Sequence, residues 1–466
     1  MRDSSNLPNT TLYMLLIEDS ANFKTASFQG YYTLTRSETM GNDEKKVQLK
    51  VYVDKKKKKV MFAEADEDFV EILFSFFTLP LGTIAKLSRK HVDSNAIKVG
   101  SLTSLYESII NLNEKHFSNE HCKDALINPS NSSASFCQKL KVNLDETKPI
   151  ISSSVPSVPQ ELKVNVDDAV FLKKKASFII TDDLNVVPVM LDTSIVLLCS
   201  LGVEYIDLLE EIPMPFGLEE FSNLLKWSLL TNNPLTNLVL GGSKPCPCSS
   251  CDTNSASDSA LTSIDSSETQ TRTQTTQTPK TQTQTQKMKL LVQKSTKKVL
   301  CAQVENHFVE LLFSFLTIPL GAYERLTKDN NSSSVGISNL YNSISSLGDG
   351  KYLKSEDVKT MLLRPKLAAN YLRVTNFLPI YEVDTRPGRF LKEQATFIVS
   401  DDLEVTVSPS VATITKFNTL GVAVCDIEVL EVTVGEQEAL LILKSSLTST
   451  SALTDYLNAL RKKPKA

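Results

Sequence analysis

Apolar and polar residues are spaced along the chain in a way that predicts short strands and amphipathic helices. The segments LKVYV (49–53) and VMFAEA (60–65) are rich in strand-forming residues and flank a lysine-rich turn, which is typical of a β-hairpin. An apolar run over residues 68–78 predicts a helix, which Pro80 and Gly82 should stop or kink. This part of the chain is therefore expected to form a hairpin followed by a helix.

The later elements continue the same mixture of strands and helices. A strand is expected at 177–180, before a turn at two aspartates, and a short helix should end at Gly202. Two further amphipathic helices are indicated by apolar residues at helical spacing, namely Leu102, Leu105, Ile109 and Leu112 in one and Phe221, Leu224, Leu225 and Leu229 in the other. Strands and helices do not alternate regularly, so the pattern predicts an α+β fold and not a doubly wound parallel sheet.

The whole pattern occurs twice. FVEILFSFFTLPLG at 69–82 is repeated as FVELLFSFLTIPLG at 308–321, and FLKKKASFIITDDL at 171–184 returns as FLKEQATFIVSDDL at 390–403. Matching blocks in the same order predict two tandem copies of one α+β module.

Composition divides the chain into four segments. Residues 1–46 are expected to be a poorly ordered N-terminal extension, followed by the first repeat module at 47–240 and the second at 288–466. Residues 241–287 contain no aromatic residue and are dense in Ser, Thr and Gln, which predicts a disordered low-complexity linker. Proteolysis in this linker is expected to leave two stable halves.

Charge and cysteine usage exclude some classes of protein. The 50 basic and 54 acidic residues give a net charge of −4, which provides no field for attracting nucleic acid. The eight cysteines are scattered, which favours a reducing compartment, so we expect a cytoplasmic protein, with a nuclear location as the alternative. No stretch reaches the roughly 20 apolar residues of a membrane span, so no membrane association is expected.

Several blocks resemble a plant protein family known as domain of unknown function number 674. The residues that carry the resemblance are FAEA (62–65), the block at 69–82, SLTSLYESI (101–109), the two blocks that end in Asp-Asp-Leu, and VGEQEALLILKSSLTSTSALTD (434–455). The resemblance covers both copies and implies no particular activity.

One polar stripe is repeated without change on the apolar helix of each copy. Its residues lie at positions i, i+4 and i+7: Glu71, Ser75 and Thr78 in the first copy, and Glu310, Ser314 and Thr317 in the second. Such a stripe can line a pocket in which the glutamate serves as acid, base or polar anchor. Alternatively, it is a structural strip, either solvated or hydrogen-bonded internally.

Three other features carry possible chemistry. Asp182 and Asp183, repeated at 401–402, suit either a hard cation or a turn. Lysines 55–59 suit either a phosphate or nuclear-signal role or a solvated hairpin turn. Three possible soft metal ligands lie close together within the linker, at Cys246, Cys248 and Cys251, but four are usual for structural zinc.

The sequence favours a protein without catalytic activity. No His or Cys outside the linker is shared by the two copies. The two copies therefore cannot both carry the same catalytic site built from those residues. No cofactor is predicted, and the leading hypothesis is a non-catalytic intracellular binding or scaffold protein with an unidentified protein partner. The first alternative is an enzyme that uses the stripe around Glu71 and Glu310. The second is a nuclear or nucleic-acid-associated factor.

Overall fold

A computed structural model describes most of the chain. The described residues are 47–89, 98–140, 170–173, 176–241, 285–328, 335–348, 351–367, 372–373, 378–380, 386–392, 395–407, 415 and 421–462. The predictions for residues 1–46, for most of the linker and for the linker cysteines at 246, 248 and 251 lie outside these residues. The described residues from Val47 onward form one compact unit.

The first half of the chain builds a five-stranded antiparallel sheet with the strand order β4-β3-β2-β1-β5. Its strands are β1 (Val47–Asp54), β2 (Lys59–Ala65), β3 (Phe178–Thr181), β4 (Val186–Pro188) and β5 (Glu210–Phe216). The accompanying helices are α1 (Glu67–Ser75), α2 (Leu81–Arg89), α3 (Leu102–Asn111), α4 (Glu120–Ile127), α5 (Ala134–Cys137), α6 (Leu191–Ser200), α7 (Leu218–Leu230) and α8 (Pro234–Leu240).

The second half builds a sheet of the corresponding order, β11-β10-β7-β6-β12, and adds a short parallel pair, β8-β9. Its strands are β6 (Gln286–Gln293), β7 (Val299–Glu305), β8 (Leu372–Arg373), β9 (Arg386–Pro387), β10 (Thr396–Ser400), β11 (Val405–Val407) and β12 (Ile427–Val434). Its helices are α9 (Asn306–Phe315), α10 (Leu320–Thr327), α11 (Val335–Ser346), α12 (Glu356–Leu363), α13 (Glu436–Thr448) and α14 (Ala452–Lys462).

The α+β class predicted from the mixed order of elements is confirmed by these helices and antiparallel sheets. Helix α1 begins where Asp66 accepts a hydrogen bond from the N–H of Phe69, and it continues as a 3₁₀ turn at Phe76–Thr78. Pro80 ends this element, as predicted, but a second helix, α2, starts at Leu81.

The two halves share one hydrophobic core. Helices α1 and α9 are buried on nearly every side, and the buried residues of both halves belong to the same cluster. Aromatic rings cross between the halves: Phe77 meets Tyr341 edge-on at 5.6 Å, and Phe117 stacks on Phe313 at 6.4 Å. Because the core is continuous, the halves are expected to stabilise each other.

Helix α6 lies on the other face of the first sheet. Side chains alternate between the faces of a strand, so Phe178 and Ile180 point into the shared core while Ile179 points away from it. Apolar residues of α6 and of the segment that follows it, including Leu197 and Leu198, cover this outer face. The chain thus crosses the sheet from edge strand β4 to edge strand β5 through α6.

Candidate functional site

The polar stripe of the first copy is buried and internally hydrogen-bonded. Glu71, Ser75 and Thr78 are each 2% exposed or less. The Ser75 hydroxyl donates to the carbonyl of Ile72 at 2.7 Å, and the Thr78 hydroxyl donates to the carbonyl of Ser75 at 2.8 Å. These two hydroxyls are therefore used within their own helical turns.

Glu71 anchors a distant part of the chain. Its Oε1 atom accepts hydrogen bonds from the backbone N–H groups of Phe171 at 2.6 Å and Leu172 at 2.8 Å. Burial raises the pKa of the Glu71 carboxyl above its usual range, and these backbone donors partly offset the rise. The contacts fit the polar-anchor role among those considered from the sequence.

The stripe of the second copy repeats this arrangement less completely. The hydroxyls of Ser314 and Thr317 each donate to a carbonyl in the preceding turn at 2.7 Å. Glu310 accepts a hydrogen bond through Oε1 from the N–H of Leu391 at 3.2 Å, and its buried Oε2 atom has no hydrogen-bond partner among the described residues. Burial raises the pKa of Glu310 to about 7, and Nδ1 of His307 lies 4.0 Å from Oε2.

The anchored segments join the two halves. We call residues 170–173 the first crossing segment and residues 389–392 the second crossing segment. Leu172 pairs in a β-bridge with Leu353, and Leu391 pairs in the same way with Phe117. Each buried glutamate thus fixes a segment that contacts the opposite half.

The repeated aspartate pairs are also part of the framework. Asp182 accepts two hydrogen bonds from Thr236, from the N–H at 2.7 Å and the hydroxyl at 2.8 Å, and Asp401 accepts the same pair from Thr454. The second aspartate of each pair reaches across to the opposite half. Asn339 donates to Asp183 at 2.9 Å.

Leu184 closes this turn at a φ of +61°, and Leu403 has a φ of +62°. A left-handed leucine is rare, so the surroundings must hold it there, and both leucine side chains are fully buried. The aspartates therefore act as turn formers and helix anchors, and both carboxylate oxygens of Asp182 are already engaged by donors.

No metal centre is found in the part of the chain that the structure describes, since it contains no group of three His, Cys, Asp or Glu side chains placed to hold an ion. Lys55, Lys56, Lys57 and Lys58 form the exposed turn of the first hairpin. One of them, Lys55, pairs with Glu210 at 2.8 Å. No described helix is long and apolar enough to cross a membrane.

Two shallow clefts lie where the halves meet. The larger, of about 370 Å³, is lined by residues that include Lys59, Asp182, Asn233 and Val335. The smaller, of about 270 Å³, lies between α3 and the hairpin that contains Glu404. The stripe residues line neither cleft, so the geometry does not bring Glu71 or Glu310 to a substrate-sized cavity among these two.

Large apolar side chains are exposed on α6 and on the segment that follows it. Leu191, at the start of α6, is 82% exposed and Val196 is 69% exposed. In the segment after the helix, Tyr205 is 65% and Leu208 is 72% exposed. We call the exposed apolar residues on and after α6 the α6 face; its members are Leu191, Ile195, Val196, Tyr205, Ile206 and Leu208.

Sequence analysis did not identify the α6 face. Its sequence, LDTSIVLLCSLG at 191–202, is apolar on several sides, as a buried core helix would be. Only the sheet topology shows that this helix lies on the outer face, where one side of it has nothing to cover it among the described residues. The apolar character of the exposed side was the one available signal.

The fold and these contacts define an α+β protein in which two sheets of corresponding order share a core and buried glutamates fix the segments that cross between halves. The chain belongs to the family described as Protein of unknown function (DUF674), whose profile matches residues 43–157, 152–387 and 379–465. This finding confirms the family resemblance. No curated protein matches the chain. Nor does any solved structure match it.

Proposed function

We propose that the chain is a non-catalytic binding protein of the cytoplasm, which holds another protein on its α6 face. The observation that carries this proposal is the exposure of large apolar side chains on α6 and on the segment that follows it, with Leu191 at 82% and Leu208 at 72%. Exposed apolar groups that lie together mark interaction sites in soluble proteins, whereas single ones are ordinary.

The buried acids support the same proposal. A catalytic acid or base must reach the proton that it moves, but Glu71 and Glu310 are 2% and 1% exposed. Their carboxylates accept backbone hydrogen bonds from the crossing segments. These repeated glutamates thus make hydrogen bonds within the fold. Neither of them is accessible to a substrate, as the enzyme hypothesis would require.

The lysine-turn hypothesis gains no support from the described contacts. Lys55 pairs with Glu210 and Lys57 with Asp54, so two of these cations already face carboxylates. Nucleic-acid binding usually relies on a basic surface with unpaired Lys or Arg near aromatic residues. We therefore keep the protein-binding proposal alone.

The proposal can be tested by affinity purification of the full chain from its native tissue, comparing the natural protein with L191D/V196E. Asp at the first turn of a helix and Glu within it are compatible with α6, so the variant should fold. V429E is the matched control, because Val429 is 62% exposed and lies on β12 where the corresponding strand β5 carries Glu211.

A partner retained by the natural protein and by V429E, but lost from folded L191D/V196E, supports the proposal. Equal recovery of every partner by all three proteins would overturn it.

A further inference from the structure

The chemistry of the partner can be inferred from the surroundings of the α6 face, an inference that rests on the proposed function. Residues 176–225 contain no Lys, Arg or His. The same stretch contains nine acidic residues, which are Asp182, Asp183, Asp192, Glu204, Asp207, Glu210, Glu211, Glu219 and Glu220. The local charge is therefore strongly negative, although the whole chain carries a net charge of only −4.

Four of these acids are exposed close to the apolar residues in sequence. Asp192 follows Leu191 on α6, and Glu204 and Asp207 flank Tyr205 and Ile206. Glu211 is exposed on the strand that follows. The α6 face thus combines exposed apolar side chains with exposed acids that are close to them in sequence, and we call these acids its acidic border.

The described contacts place a few basic groups near this surface. Lys55 is engaged by Glu210 at 2.8 Å, the Nζ atom of Lys351 lies 3.9 Å from the sulfur of Met190 at the start of α6, and Lys50 is exposed on the same outer face of β1 as Tyr52. None of these lysines neutralises Asp192, Glu204 or Asp207 in a described ion pair. The border therefore favours a ligand that carries positive charge.

The backbone of α6 is already hydrogen-bonded within the helix, so it offers no free strand edge to an incoming chain. A partner segment that covers apolar side chains must still provide hydrogen bonds for its own backbone N–H and C=O groups. A helix provides these bonds internally. Leu191 and Ile195 lie one turn apart, so their side chains are neighbours on the surface of α6. An apolar stripe on another helix can pack against such a pair.

We infer that the α6 face binds a basic amphipathic helix of a partner protein, with apolar residues against Leu191, Ile195 and Leu208 and Lys or Arg residues against Asp192, Glu204 and Asp207. Two other occupants fit less well. A second copy meeting the same face would place acidic borders against each other, and an anionic lipid surface would be repelled by that border.

The inference can be tested with the full chain and two synthetic helical peptides of about 18 residues, built from Leu with Lys or from Leu with Glu on the same apolar pattern. Binding is measured by fluorescence anisotropy at about 50 mM and about 300 mM salt, because screening weakens surface charge pairs. We expect the Leu/Lys peptide to bind and the Leu/Glu peptide not to bind.

Two variants locate the contact. L191D/V196E should weaken binding of the Leu/Lys peptide at least about tenfold, which corresponds to about 1.4 kcal/mol. D192N/E204Q/D207N should weaken it and also reduce its dependence on salt, and V429E should leave it unchanged.

The inference is overturned if the Leu/Glu peptide binds equally well, or if neither variant changes binding of the Leu/Lys peptide. It is also overturned if sedimentation shows a dimer that L191D/V196E abolishes, or if vesicles of neutral or anionic lipid bind through the same residues. Tissue partners that depend on Leu191 and Val196, together with no binding of the Leu/Lys peptide, would refute the partner chemistry and leave the proposed function in place.

Discussion

Pro80 and Pro319 face each other in an antiparallel bridge at the junction between the two halves. Two backbone hydrogen bonds of 2.9 Å flank the bridge, from the N–H of Leu81 to the carbonyl of Ile318 and from the N–H of Leu320 to the carbonyl of Leu79. The Leu-Pro-Leu-Gly motif of one copy is therefore paired with the Ile-Pro-Leu-Gly motif of the other. The same sequence block supplies both sides of the junction.

The glycine that follows this bridge should tolerate no side chain. A Cβ atom on Gly321 would lie 2.6 Å from the carbonyl oxygen of Leu362 and 3.1 Å from that of Phe77, and both are backbone atoms that cannot rotate away. G321A should lower the free energy of unfolding by about 2 kcal/mol, as measured by urea denaturation. G348A is the matched control, since the nearest atom to its Cβ would be 3.8 Å away, and it should change stability by less than about 0.5 kcal/mol. Equal effects of the two substitutions would contradict the close approach of these carbonyls to Gly321.

The sequence of residues 69–78 predicts that the repeated block forms a helix. It does not predict which distant segment packs against that block. Periodicity within one stretch reports which side of a helix is buried and gives no information on which distant segment covers it. Pro80 was predicted to stop or kink a helix, which is what proline does locally. Its pairing with Pro319, in the other half of the chain, is a tertiary contact that only the structure supplies.

The two buried glutamates should contribute differently to the pH dependence of the protein's stability. The pKa of Glu310 is raised from 4.5 to about 7, so the folded state holds a proton that the unfolded state releases. This group therefore favours folding at low pH, and its favourable contribution is lost as the pH rises from about 4.5 through about 7. E310Q should match the natural protein in stability near pH 5 and exceed it near pH 8 by about 1–2 kcal/mol.

The matched comparison for this prediction is E71Q. Glu71 accepts two hydrogen bonds of 2.6 and 2.8 Å from the first crossing segment, whereas Glu310 accepts a longer one, of 3.2 Å, from the second. Hydrogen bonds favour the ionised carboxylate and offset part of the rise in the pKa of Glu71, so E71Q should gain less stability at pH 8 than E310Q does. Identical pH profiles for the two variants would argue against the different anchoring of the crossing segments.

Cutting the chain between the halves should not separate them. The repeat by itself predicts two stable halves, but the buried residues of both halves form one core. With a protease site inserted between residues 242 and 284, the cut chain should elute as one complex from a sizing column. The fragments should separate only in denaturant, because each would expose the side chains that cover the other, such as Phe77 and Tyr341. Two monodisperse, folded fragments in plain buffer would show that the halves are independent domains.

The aspartate pairs should behave as anchors and not as cation sites. Asp182 accepts bonds from the N–H and hydroxyl of Thr236 and from Asn233 at 2.8 Å, which leaves its carboxylate saturated with donors. D182A should lower the free energy of unfolding by about 1–2 kcal/mol through loss of these contacts at the start of α8. Added Ca²⁺ should not shift the melting temperature of the natural protein, and a shift that D182A abolished would restore the cation interpretation.

The candidate site was predictable only in part, for a physical reason. The stripe at Glu71 is visible in the sequence because it is repeated, but its role depends on Phe171, which lies 100 positions further along the chain. The α6 face was not predictable, because apolar residues such as Ile195 and Val196 are usual in a core. One side of α6 is covered and the other is exposed because of the order of the strands in the sheet. That order cannot be read from the sequence.

We propose that the buried glutamates stabilise the fold and that the α6 face binds the partner protein. The most direct test is the quantitative recovery of tissue partners by three full-length proteins: the natural chain, E71Q/E310Q and L191D/V196E, each shown to be folded by circular dichroism. We predict that E71Q/E310Q retains the partners of the natural chain and that L191D/V196E loses them. Loss of partners, or of a measurable reaction, from folded E71Q/E310Q with full recovery by L191D/V196E would contradict the account.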